Sequence, residues 1–345
     1  MTVGADGFLL VDKPAGVTSF TVVDRIRRAL LTSFPHLQGS RRRIRPGGPR
    51  PPKFKCGHTG TLDPAATGLL VVLIGRGSRL GPFLVGLDKT YLGTVRLGTE
   101  TDTLDAEGQV TATTPPPADP DRLVAALSGF RGDIQQVPPL VSAIKRDGKP
   151  LYARVRAGEE VAEPDPRPCR IDRLEVGAVR WPDPTTGHYE IDLEVTCSSG
   201  TYVRSLARDV ARAAGSTGHL AALRRLKVGT FDVADALTDV LDRDGHELAA
   251  ALAPLAAALP DARRLLLTAV QDRAVRLGGQ PEAAWFATPR ETDITLPVDG
   301  LFRLVTTDGG LTAVGRMTDE GPRIAAVLAA PLAPDDDTGE VGPCA

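Results

Sequence analysis

Acidic residues all but vanish from one long stretch of this 345-residue chain. Between Asp24 and Asp88 the only one is Asp63, yet Arg25, Arg27, Arg28, Arg41, Arg42, Arg43, Arg45, Arg50, Lys53, Lys55, Arg76 and Arg79 share that interval. Twelve cations against one anion make residues 25–87 +11; the whole chain sums to −2, so the remainder carries −13. A nearly neutral protein with its positive charge gathered in one region has the electrostatic footprint of a polyanion binder, nucleic acid first among them.

Other absences narrow the chemistry. The four cysteines, Cys56, Cys169, Cys197 and Cys344, form no C-x-x-C pair. That argues against a structural zinc site and a disulfide framework and for a reducing, cytoplasmic setting. The five histidines contain no H-x-x-x-H pair, so no catalytic metal is expected. "GRGSRLG" (75–81) lacks the Gly-Lys-Ser/Thr of a phosphate loop. No run approaches the roughly 18 apolar residues of a membrane span, and no basic start leads into an apolar leader. Aromatics are 4% of the chain, so the core must come from the Leu, Val and Ala that dominate its 42% hydrophobic content.

What is present suggests one large domain and a smaller one. "GFLLVDKPAGVTS" reads as a strand, Phe8 to Val11, stopped by turn signals, with Thr18 or Ser19 capping a helix that carries Val22, Val23, Ile26, Leu30 and Leu31 at helical spacing. "SFPHLQGSRRRIRPGGPRPPKFK", rich in Pro, Gly and Arg, cannot bury a core and is expected to be an exposed loop over about 33–55. "KTYLGTVRLGTETDT" alternates as a strand does, and "DRLVAALSGF" starts a helix at Asp119 or Asp121. "YEIDLEVTCSSGTYVRSLARDVARAAG" reads as strand, turn and amphipathic helix; the Ala-rich stretch from about 235 to 260 reads as helical. Short strands follow over 262–332, then an acidic tail, 333–345, expected to be disordered. The irregular alternation of strands and helices favours α+β.

Asp63 sits in "GHTGTLDPAATG". Asp-Pro commonly starts a turn, and a loop aspartate usually only caps or solvates. Surrounding cations alter that balance, because they keep a carboxylate ionised and available as a nucleophile. Arg204, in "GTYVRSLARDV", is an ordinary surface cation unless it faces Asp63, where a bidentate pair would fix the carboxylate. Tyr91, in "DKTYLG", is either half-buried packing or a platform on which an extruded base stacks. His58, Lys13 and Leu223 each have adequate structural explanations of their own.

Six blocks in order, "LLVDKPAGVTS", "GHTGTLDPAATGLLVVLIG", "DKTYLGTVRLGTETDTLDAEGQV", "VPPLVSAIKRDGKPLYARVRAG", "CSSGTYVRSLARDV" and "HLAALRRLKVG", resemble the TruB family of tRNA pseudouridine synthases across nearly all of 7–235. The resemblance implies an α+β fold: a pseudouridine-synthase core of mixed, largely antiparallel sheet flanked by helices over 1–255, a thumb at about 131–165, and a small, mostly β PUA-like RNA-binding domain over 262–332. It implies Asp63 as the catalytic residue, paired with Arg204. Tyr91 would stack on the uracil, Tyr202 and Leu223 would line the pocket, His58 would stand near flipped nucleotides, and Lys13 would be structural or touch the pocket wall.

The reaction so implied turns a uridine of the tRNA T-arm loop, position 55, into pseudouridine, without cofactor or metal. Asp63 either attacks the sugar or acts as a base that yields a glycal. Flipping the base costs a few kcal/mol, which a basic groove with stacking aromatics can offset. About twenty inserted residues ahead of the Asp63 loop depart from the bacterial pattern. Arg41, Arg42, Arg43, Arg45, Arg50, Lys53 and Lys55 are expected to contact tRNA phosphates there. The expected partner is tRNA alone, with no membrane, no obligate protein partner and a monomeric state. Two alternatives stay open: an RNA-guided synthase of a ribonucleoprotein, and a non-catalytic tRNA-binding or tRNA-folding protein.

Overall fold

The computed structural model describes residues 5–38, 54–142, 144–146, 148–182, 188–286 and 300–330. Strand β1 (Gly7–Lys13) leads into helix α1 (Ser19–Ser33). Thr18 caps that helix, its hydroxyl accepting the Thr21 N–H at 3.0 Å, and Val22, Val23, Ile26 and Leu30 form its buried face. Strands β2 (Cys56–His58) and β3 (Thr67–Ile74) follow, then the short helix α2 (Gly81–Leu84) and the long strand β4 (Lys89–Leu97). Strands β5 (Thr99–Thr101) and β6 (Val110–Thr113) pair with each other, helix α3 (Asp121–Ala126) starts after Pro120, and strand β7 (Gly132–Gln136) joins the main sheet. Strands β8 (Lys145–Arg146) and β9 (Lys149–Pro150) make a minimal pair that runs into helix α4 (Leu151–Arg156). Strand β10 (Arg167–Arg180), strand β11 (Tyr189–Cys197), helix α5 (Val203–Ala213), strand β12 (Gly218–Val228), strand β13 (Phe231–Asp232) and helix α6 (Gly245–Ala250) complete the large domain.

Its sheet runs β1-β3-β12-β4-β11-β10-β7, with β2 paired to β3 and β13 to β12. Every pairing is antiparallel except β3 with β12. "TGLLVVLI" is continuously apolar because β3 is covered on both faces. Leu70, Val72 and Ile74 pack with α1, whereas Leu69, Val71 and Leu73 pack with Leu80, Phe231, Leu301 and Val314. Farther along, α5 lays Val203, Leu206, Ala207 and Val210 on Val95, Ile191, Leu193 and Val195.

The second sheet, β14 (Arg263–Leu266), β15 (Leu301–Val305), β16 (Leu311–Thr318) and β17 (Gly321–Val327), packs with helix α7 (Ala269–Arg276) around Leu267, Val275, Phe286, Phe302 and Leu304. It is tied to the large domain through the shared cluster that contains Leu301 and Val314. The fold is thus mixed α+β, as the sequence led us to expect, with a small C-terminal sheet.

Two stretches differ from the sequence reading. The Ala-rich region 235–260 is mostly not helical: α6 is six residues, and the chain around it lies along β1. Leu237 and Ala253 exchange backbone hydrogen bonds with Phe8, Leu10 and Asp12 at 2.8–3.1 Å. Covering the open edge of β1 satisfies its unpaired N–H and C=O groups, and this outweighs alanine's helix propensity. Of the 131–165 stretch, Gly132–Gln136 is an edge strand of the main sheet, registered against β10 from Arg167 to Ile171. The expected exposed loop lies outside the described residues over 39–53, as does the acidic tail.

Candidate active site

Asp63 stands on the loop that joins β2 to β3, and the β1–α1 turn holds that loop in place. The Ser19 hydroxyl donates to the Leu62 carbonyl at 3.0 Å and accepts the Leu62 N–H at 2.9 Å. Gly16 N–H donates to the Pro64 carbonyl at 2.9 Å. Lys13, fully buried, spends its ammonium on the carbonyls of Pro14, Val17 and Pro64 at 2.8, 2.7 and 3.1 Å. Burial pushes the Lys13 ammonium down to about 8, against the pull of Asp63 in the opposite direction. The Lys-Pro…Thr-Ser segment therefore serves as the bracket of the aspartate loop.

The loop leaves through Gly68, whose φ is +100°. A β-carbon there would lie 2.2 Å from the Arg225 carbonyl oxygen, so only glycine lets β3 pass so close to β12.

Arg204 enters from the first turn of α5. Its Nε lies 3.1 Å from Asp63 Oδ2. The pair is not bidentate, which corrects the sequence expectation, because the other nitrogens are engaged elsewhere. Nη1 donates to the Thr103 carbonyl at 2.8 Å and lies 3.5 Å from Asp105 Oδ2, and Nη2 donates to the Val141 carbonyl at 3.0 Å. The Arg204 side chain is 8% exposed and that of Asp63 42%. A buried, five-donor cation thus presents one face to a carboxylate that remains open to solvent.

Both residues line a cavity of about 670 Å³, along with Tyr91, Tyr202, Leu223 and Arg225. The chain has only four tyrosines, and three of them, Tyr91, Tyr152 and Tyr202, are on this wall. Tyr91 comes from β4 and Leu223 from β12, neighbouring strands that bring residues 132 positions apart in sequence to one surface. Burial raises the Tyr91 phenol above its ordinary value, opposed by the charge of Arg225. Burial likewise raises Tyr202, opposed chiefly by the Ser142 hydroxyl. Both therefore stay neutral near pH 7. Tyr202 is positioned by its backbone N–H, which donates to Gln136 Oε1 at 2.8 Å.

Two expected site residues stand elsewhere. Lys13 lies behind the loop with its donors consumed by carbonyls, not on the cavity wall. His58 is also off the wall; its Nδ1 accepts the Gly60 N–H at 3.3 Å, and burial lowers its basicity, which leaves the ring neutral. Lys55 is exposed beside β2, whereas Arg41, Arg42, Arg43, Arg45, Arg50 and Lys53 fall outside the described residues.

Sequence reasoning overlooked Arg225, Lys89, Asp105 and Tyr152, all on the wall. Lys89 donates to the Val85 and Leu87 carbonyls, and burial pushes it down to about 8. A signal did exist for Arg225. It is a charged residue within a strand whose neighbours Leu223 and Val228 face apolar clusters. Among the described residues no three His, Cys, Asp or Glu side chains gather as a metal site, and no helix is long and apolar enough to cross a membrane.

A pocket in which an arginine is locked against a solvent-open carboxylate, with tyrosines on its wall, has the form of an enzyme site for a flat, polar ring. Comparison with known proteins agrees in kind. Residues 50–203 match the model described as TruB family pseudouridylate synthase (N terminal domain), and residues 204–260 match that of the tRNA pseudouridylate synthase B C-terminal domain. A tRNA pseudouridine synthase B from Cutibacterium acnes is 42% identical over 320 residues, 91% of this chain and 94% of that protein. One from Mycobacterium leprae is 40% identical over 326 residues, 93% and 90% of the two chains. The chain belongs to the TruB family. The crystal structure of a Cbf5-Nop10-Gar1 complex superposes with a TM-score of 0.64 over 95% of this chain and 86% of that one, at 23% identity, a likeness of fold.

Proposed function

We propose that this protein isomerises a uridine of tRNA, in the T-arm loop at position 55, to pseudouridine. The observation that carries this reading is the solvent-open Asp63 carboxylate on the cavity wall, held at 3.1 Å by a buried arginine. In the reaction the N1–C1′ bond breaks, the uracil turns within the pocket, C5 bonds to C1′, C5 loses its proton and N1 gains one. Asp63 acts at C1′ as nucleophile or at the neighbouring carbon as base. Arg204 holds it in place. Tyr91 and Tyr202 provide faces and edges for a ring taken out of its stack, and Leu223 closes the apolar side.

We infer further that the enzyme works in the cytoplasm as a monomer, without guide RNA or protein partner. The cations of residues 41–55 hold the tRNA backbone in this reading. Recognition then rests on the folded shape of the arm and its splayed bases.

The test is an assay of purified protein with unmodified tRNA transcript and a pseudouridine readout, with no RNA guide added. Wild type is expected to convert one uridine per tRNA, and Asp63→Asn to bind tRNA but convert none. Conversion by Asp63→Asn would remove Asp63 from the chemistry. No conversion by wild type would favour a guide-dependent or purely binding role.

A further inference from the structure

Arg225 has no carboxylate partner among the described residues, though it is 1% exposed. A buried guanidinium without an anion is costly unless its N–H groups are well used, so where they go is informative. Nε donates to the Leu69 carbonyl at 2.6 Å and Nη2 to the Gly60 carbonyl at 3.0 Å. Gly60 lies near the start of the loop that carries Asp63, and Leu69 lies in β3 just past its end. Its third neighbour is Tyr91, directly across from it in the adjacent strand and on the same cavity wall, where the Arg225 charge acts on the phenol.

Strand register explains why one residue reaches all three. In β12, Arg225 is the Cα partner of Tyr91 in β4 and of Gly68 in β3. The absent side chain at Gly68 brings the Arg225 backbone against the loop exit. Arg224, next to it, points to the opposite face and pairs with Asp12 at 2.7 and 2.9 Å, away from the cavity.

We propose that Arg225 is a positioning residue that couples Tyr91 to the Asp63 loop, fixing the spacing between the ring that supports the uracil and the carboxylate that acts on the sugar. This inference rests on the reaction proposed above and deepens it. The loop is bracketed from behind by Lys13 and Ser19, whereas on the cavity side Arg225 joins Gly60 to Leu69, and a planar, forked cation is the side chain able to donate to both while facing Tyr91. The step it serves is geometric: a misplacement of about 1 Å costs on the order of 100-fold in rate.

The test is single-turnover conversion of tRNA at saturating enzyme, together with tRNA affinity and thermal unfolding, for full-length Arg225→Met, Arg225→Lys and Arg224→Met. Arg225→Met is expected to convert about 100-fold more slowly with tRNA affinity within threefold of wild type. Arg225→Lys, which keeps the charge but loses the fork, should fall between the two and covers the case in which the Met variant fails to fold. Arg224→Met should keep the wild-type rate. In a double-mutant cycle with Tyr91→Phe, the cost of Arg225→Met should shrink at least fivefold, because the two act as a unit.

Wild-type rates in Arg225→Met or Arg225→Lys, equal slowing in Arg224→Met, or strictly additive losses with Tyr91→Phe would each overturn the proposal. These failures are separate from failure of the reaction itself, which would appear as inactivity of the wild-type protein.

Discussion

Gly68→Ala tests the packing on which the site depends. The residue has φ +100°, a backbone region that costs an alanine about 1–3 kcal/mol. Its new β-carbon would meet the Arg225 carbonyl oxygen at 2.2 Å and nitrogen at 2.7 Å, where ordinary contact begins near 3.4 Å. Strands β3 and β12 must therefore separate by about 1.2 Å, the difference of 3.4 and 2.2. Neither can move alone, since Leu69, Val71 and Leu73 are packed on one side and Leu70, Val72 and Ile74 on the other. With strain and repacking together, the expected loss is about 2–4 kcal/mol, a fall in Tm of roughly 5–15 °C. Because Gly68 ends the Asp63 loop, the single-turnover rate should also fall, by about 100-fold. Gly57→Ala is the control: a β-carbon there meets nothing within 4 Å, so Tm and rate should stay near wild type. Differential scanning fluorimetry and the tRNA assay read both quantities. A Gly68→Ala protein with unchanged Tm and rate would refute the claim that close approach of β3 to β12 shapes the site.

Three other outcomes are expected. Arg204→Lys cannot serve Asp63 and the Thr103 and Val141 carbonyls together, so single-turnover conversion should drop by roughly 10- to 100-fold with tRNA affinity little changed. Lys13 titrates at about 8 when folded and near 10.4 when unfolded, so the unfolded chain binds more protons between those values. Stability from this residue should rise with pH across that window and be flat below about 7, a slope that Lys13→Met should abolish in urea titrations compared at pH 7 and pH 10. Deleting residues 41–53, which hold Arg41, Arg42, Arg43, Arg45, Arg50 and Lys53, should weaken tRNA binding and flatten its salt dependence while leaving single-turnover conversion intact; affinity unchanged at every salt concentration would make the stretch a passive insertion.

Much of the fold could be read from periodicity. The apolar run at 8–11 is a strand, Thr18, one of two candidates, caps α1, and the strand, turn and helix expected over 189–215 are β11, its turn and α5. The reading failed where a tertiary demand opposed local preference. Residues 235–260 look helical by composition, but the open edge of β1 needs backbone partners, and a helix cannot supply them. Composition also hid the number of donors Arg204 must divide among its neighbours, which is why the expected bidentate pair is a single contact.

By itself the sequence determined only the local run of charge around Asp63, twelve cations and no other acid over residues 25–87; the charged groups that share its cavity, Arg204, Arg225 and Asp105 among them, all come from outside that run. It also marked the loop, through the glycines and the Asp-Pro turn around that residue. Only the tertiary structure decided which side chains meet there. Asp63, Tyr91, Arg204 and Arg225 lie on a loop, two strands and a helix, and their approach is set by strand register and by how near β3 can come to β12. Such distances depend on contacts between residues more than a hundred positions apart, which neither local propensity nor periodicity encodes.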